Sequence, residues 1–135
     1  MPETDMLRHH NPAGMHTPRG YTHVVTATAP ARIVFVSGQV GVAPDGKLAA
    51  DFRGQVEQAF ANLEMALAAA GGGFENVTKM TVFLTDIANQ IGIYREVRDR
   101  HLATMPPPAS TALGVAALAM PGMMFEVEAV AVLPG

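Results

Sequence analysis

The stretch DFRGQVEQAFANLEMALAAAGGGFENVTKMTVFLT, residues 51–85, changes its hydrophobic period part-way along. In its first half Val56, Ala59, Phe60, Leu63, Ala66, Leu67 and Ala70 fall on one face at helical spacing, and Arg53, Glu57 and Glu64 lie off that stripe. Gly71-Gly72-Gly73 then stops the helix, which runs for about five turns at ~3.6 residues each. From Val77 to Thr85 the β-branched run VTKMTVFLT reads as a strand. A helix with one apolar face, feeding a strand, needs a sheet to cover.

The flanks supply that sheet. Towards the N-terminus, 21–27 (YTHVVTA) and 33–40 (IVFVSGQV) read as a β-hairpin, followed by the turn Ala43-Pro44-Asp45-Gly46. Towards the C-terminus, 87–103 carry a second helical pattern, with Ile91, Tyr94, Val97 and His101 or Leu102 on one side. The run Met105-Pro106-Pro107-Pro108 ends it, since proline cannot continue a helix. Residues 111–118 and 125–133 give two more strands, joined through Met120-Pro121-Gly122. The order ββαβαββ predicts an α+β single domain: a mixed β-sheet with two helices on one face, set there by right-handed crossovers. The opposite face then has no intramolecular cover. Residues 1–20 show no periodicity and hold three prolines, so they read as a flexible N-terminal arm preceding a domain of residues 21–135.

Composition narrows the function. With 135 residues there is one ordinary domain. Hydrophobic residues reach 49% while charged ones are only 16%, against about 25% in soluble domains, which excludes a disordered chain and a coiled coil. A mean hydropathy of +0.20 points to more apolar surface than so small a domain can hide alone. The net charge of −3 gives no global attraction to nucleic acid or anionic membrane. Zero cysteines removes disulfides, thiolate metal sites and cysteine nucleophiles together. The sequence shows no signal-peptide core and no apolar run of the ~20 residues that span a bilayer, so a cytoplasmic protein is the simplest expectation.

Phosphate-loop, nucleophile-elbow and zinc-helix motifs are absent from the sequence. His9 and His10 are adjacent in an irregular segment and chelate poorly, and His23 and His101 lack ligand partners at metal spacing; all four read as structural or solvated, and no metal is expected. Four places look like a site. Ser37-Gly38-Gln39 interrupts an apolar strand, either as a β-bulge or to admit a ligand. Tyr21 stands beside Arg19 and Gly20. Pro108-Ala109-Ser110-Thr111 puts two hydroxyls after the proline turn. Glu126 and Glu128 share a strand face in an apolar segment, where a buried carboxylate is costly unless paired or functional.

In order, RGYTHVV, IVFVSGQVGV, the helix with TKMTVFLTDI, PPPAST and FEVEAVAV resemble the RidA/YjgF family of imine and enamine deaminases, also labelled endoribonuclease L-PSP or translation inhibitor. The resemblance runs over about residues 17–133. It implies a chorismate-mutase-like fold, a homotrimer with the open sheet faces turned inward, and a small-molecule cleft at each subunit interface. It implies Glu126 as the acid/base that holds the attacking water, with Tyr21, Gly38, Gln39, Ser110 and Thr111 lining the cleft and no cofactor needed. One position departs. After Pro108-Ala109 the family places an arginine that clamps the substrate carboxylate through a bidentate fork; here it is Ser110, which offers one hydroxyl and no charge. Three readings stay open: an imine hydrolase whose missing charge comes from Arg19 or Arg32 or is not needed, a ligand-binding module without turnover, and, last, RNA cleavage. Nine Lys and Arg residues with no basic stripe argue against the last.

Overall fold

Asp51 opens the first helix: its Oδ1 accepts the Gly54 N–H at 2.9 Å, a cap worth ~1 kcal/mol. The helix ends where the Gly71 N–H reaches Ala68 O and the Gly72 N–H reaches Leu67 O, so the glycine run is a stop, as its position predicts. The computed structural model describes residues 6–28 and 31–135. Along it run β1 (Leu7–His10), β2 (Val24–Ala27), β3 (Ala31–Val40), α1 (Phe52–Ala69), a 3-10 turn (Phe74–Asn76), β4 (Val77–Leu84), α2 (Ile87–Leu102), β5 (Ala109–Gly114) and β6 (Phe125–Pro134).

The main sheet has the order β3-β6-β4-β5, with β4 and β5 parallel and the other pairs antiparallel. Both helices lie on one face. Val56, Phe60, Leu63 and Leu67 of α1 and Tyr94 and Val97 of α2 share one core with Met80, Val82 and Leu84 of β4 and with Phe125, Val127 and Ala129 of β6. The mixed sheet with two helices on one side is therefore as the sequence predicts. Among the described residues, no helix is long and apolar enough to cross a membrane.

Two expectations need correction. The strand within 21–27 does not pair with 33–40. β2 pairs with β1, Leu7 opposite Ala27, in a separate two-stranded ribbon, while β3 pairs along its length with β6. Two ten-residue strands satisfy more backbone groups together than a ten-residue strand can with a four-residue one. The second correction concerns the N-terminal arm, which is not wholly irregular. LRHH has no alternation to reveal a strand, yet Leu7 is buried with Met6 against Val132 of β6. Residues 1–5 of that arm, and residues 29–30 of the link before β3, lie outside the described residues. The fourth predicted strand, 111–118, is shorter and earlier than the sequence places it, running Ala109–Gly114 directly after the proline run.

The ribbon covers only one end of the sheet's second face. Elsewhere that face is bare: Phe35 is 77% exposed, Ile33 62% and Leu113 41%.

Candidate functional site

The interruption Ser37-Gly38-Gln39 proves to be a bulge and a close approach at once. Pairing of β3 with β6 skips between Val36 and Gln39, and the Gln39 amide spans the gap by donating to Ser37 O at 3.1 Å. A side chain at position 38 would put its Cβ 1.7 Å from Glu126 Oε2. Glycine is there because the carboxylate of Glu126 occupies that space. Glu126 is half-buried, stands opposite Phe83 and Val40, and makes no hydrogen bond or ion pair among the described residues. Its neighbour by two, Glu128, is exposed and faces Thr81.

Tyr21 and Ser110 meet elsewhere. The Thr22 N–H donates to Pro108 O at 2.9 Å and the Thr22 hydroxyl donates to Pro107 O, pinning the loop that carries Tyr21 to the start of β5. Here Tyr21 and Ser110 line a hollow with Arg19, Tyr94, Arg95 and Arg98, continuous with a wider one of about 510 Å³. Gly20 has φ +76°, and a Cβ there would fall 2.2 Å from the Arg98 guanidinium, which is only 11% exposed. Arg98 pairs with Asp99 at 2.8 Å and lies over the Tyr94 ring at 5.7 Å. Burial pushes the Tyr94 phenol up to about 12, with the charge of Arg98 opposing, so it stays protonated. The Tyr94 hydroxyl faces Ser110 and Arg98 yet completes no well-aligned hydrogen bond to either.

The candidate residues thus form two groups in one chain. Ser110 pairs with Met80 and faces the helices, whereas Glu126 pairs with Phe83 on the bare face, two strands away. Thr111 alternates to the bare face, where its Oγ1 accepts from Lys79 Nζ at 2.7 Å, so it does not join Ser110. Arg32 stands apart from both groups, donating to Pro134 O and Ala70 O at the start of β3. His101 and His23 are held by their neighbours, while His16 lines the wider hollow and meets the Tyr21 hydroxyl at 2.7 Å. His101 stacks on Phe60 with centroids 5.1 Å apart, and His23 donates from Nε2 to His16 O at 2.8 Å with its ring edge-on to His16 and Tyr21. Among the described residues, no three His, Cys, Asp or Glu side chains could hold a metal ion together. Sequence reasoning missed Tyr94, Arg95 and Arg98. The available signal was Tyr94 and Arg98 at i, i+4 on a helix otherwise assigned to core packing.

A family model described as endoribonuclease L-PSP matches residues 14–133. The chain belongs to this family, the RidA/YjgF proteins. A RidA/YjgF relative from Escherichia coli, the RutC family protein YjgH, is 39% identical over 123 residues, covering 91% of this chain and 92% of its own. The 2-iminobutanoate/2-iminopropanoate deaminase of Rattus norvegicus is 41% identical over 103 residues, covering 75% of this chain and 73% of its own. Among solved structures, that of YyfB, a Rid-family protein from Yersinia pestis, superposes with a TM-score of 0.84 at 30% identity, covering 94% of this chain and 98% of that one. The RidA/YjgF fold and membership are thereby settled.

Proposed function

We propose that the protein hydrolyses the C=N bond of a small imine or enamine. The single observation that carries this reading is the unpaired carboxylate of Glu126 seated over Gly38. In the proposed step Glu126 takes a proton from water as its oxygen bonds to the imine carbon, then returns that proton to nitrogen. The carbinolamine so formed gives its hydroxyl proton to nitrogen through the same carboxylate as the C–N bond breaks and the C=O bond forms, releasing ammonia and a carbonyl compound. Family membership and the rat deaminase support the reaction class. The step uses only this chain's groups and calls for no cofactor.

The separation of Glu126 from Tyr21 and Ser110 supports a cleft between subunits. One chain's bare face offers Gly38, Gln39 and Glu126, and another chain's β5 edge offers Tyr21 and Ser110, with a homotrimer as the proposed assembly. The test is hydrolysis of a freshly generated 2-imino acid. Glu126→Gln is expected to abolish turnover; unchanged turnover would sink the reading.

Ser110 favours a second reading, a module that binds a small ligand without turning it over, because a hydroxyl cannot replace a guanidinium fork. Thermal shifts with carboxylates and carbonyls, in the absence of any hydrolysis, would select it. Activity appearing only in Ser110→Arg would mark the natural chain as a branch with altered chemistry.

A further inference from the structure

We infer that the hollow beside Ser110 is an anion-binding subsite in which Arg19, Arg95 and Arg98 take over the charge missing from β5, and that its ligand is a small dianion. The inference rests on the proposed reaction only for what happens after binding. Three guanidinium groups face one carboxylate, Asp99, in a chain whose net charge is −3. Arg98 is already paired to Asp99, but Arg19 and Arg95 make no ion pair or hydrogen bond among the described residues. Two free forks therefore remain, enough for two negative charges. The second observation is independent of charge. The Tyr94 hydroxyl, on a buried side chain that lines the same hollow, faces Ser110 and the Arg98 guanidinium without a well-aligned hydrogen bond, a state that a ligand oxygen would improve.

The local build fixes where the charge sits. Gly20 lets Arg98 lie flat against the loop, and Arg98 in turn covers Tyr94, so the loop, α2 and β5 are locked into one wall. Arg19 comes from the loop and Arg95 from the exposed side of α2, so the free forks approach from two directions. A single carboxylate needs one fork. Two forks from different elements suit either a dicarboxylate or a phosphomonoester.

Isothermal calorimetry on the full chain reads this directly. The probes are 2-oxoglutarate as a dicarboxylate, glycerol 3-phosphate as a phosphomonoester, and 2-oxobutanoate as a monoanion. At least one dianion is expected to bind tenfold or more tighter than 2-oxobutanoate, and the stronger of the two names the ligand chemistry. Arg95→Gln and Arg19→Gln are each expected to weaken it at least tenfold, with Arg53→Gln, whose side chain pairs with Glu96 and does not line the hollow, leaving it unchanged. Equal affinity for monoanion and dianion, or variants that bind like the wild type, overturns the inference. Imine hydrolysis by the same samples separates the two ideas: lost dianion selectivity with turnover intact refutes the subsite alone, and dianion binding without turnover refutes the reaction alone.

Discussion

Position 38 decides whether the carboxylate of Glu126 can sit where it does. A methyl group there would overlap Oε2, and the carboxylate, at the end of a flexible side chain, would swing away while the strands hold. Gly38→Ala is therefore expected to fold with a melting temperature near that of the wild type and to lose at least tenfold in imine hydrolysis; full activity would show that the seat of Glu126 is irrelevant. The sequence made Gly38 and Glu126 legible because each breaks a local pattern, a glycine inside a strand and an acid inside an apolar run. It could not show that they touch, since 88 residues separate them. His101 carries a different prediction. Burial lowers its pKa, with Glu64 opposing and Arg100 assisting, so the unfolded chain binds a proton more readily than the folded one. Stability contributed by the neutral ring is then complete above the ordinary histidine value of ~6.5 and is lost as the pH falls below it. Melting temperature followed from pH 7.5 to 5 should fall for the wild type and fall less for His101→Phe, which keeps the stack on Phe60.

At the scale of elements, the helices and β4 were legible to within a residue or two, because long amphipathic periods and glycine or proline stops act locally. The pairing of strands was not. Nothing in VVTA states that its partner is LRHH rather than the apolar run that follows it, because pairing is chosen by length and burial across the whole sheet. One side chain shows how a distant choice is enforced. Gln55 of α1 is buried; its amide donates to Ala49 O and Gly122 O, each at 3.0 Å, and its Oε1 accepts from Met124 N–H at 2.8 Å. Those bonds fix the chain two residues before Glu126 and hence the register of β6. Gln55→Leu keeps the volume but strands three backbone groups, at a cost of about 3 kcal/mol given ~1 or more for each. Urea denaturation should show that loss, together with reduced activity as the start of β6 loosens; a change below ~1 kcal/mol would mean that water replaces the amide without penalty.

For the molecule as a whole, the low charge and high apolar fraction acquire a location. The helices and the β1–β2 ribbon leave Phe35, Ile33 and Leu113 on the bare face, and Phe35 at 77% exposure is hard to reconcile with a lone chain in water. Burying one such side chain contributes about 1.5–3 kcal/mol, so three copies closing their bare faces together gain several times that amount before any polar contact is counted. The same closure would carry Glu126 of one copy towards the arginine-lined hollow of another, which one chain alone keeps on opposite faces of its sheet. Assembly and activity should therefore fail together. Light scattering at micromolar concentration is expected to give about three times the 14.2 kDa chain mass. Phe35→Glu, which places a charge on the bare face without touching the core, should yield a folded species of lower mass with turnover reduced at least tenfold. A wild-type particle of 14.2 kDa would refute the assembly, and a dissociated variant that kept full activity would show that each chain holds a complete site by itself.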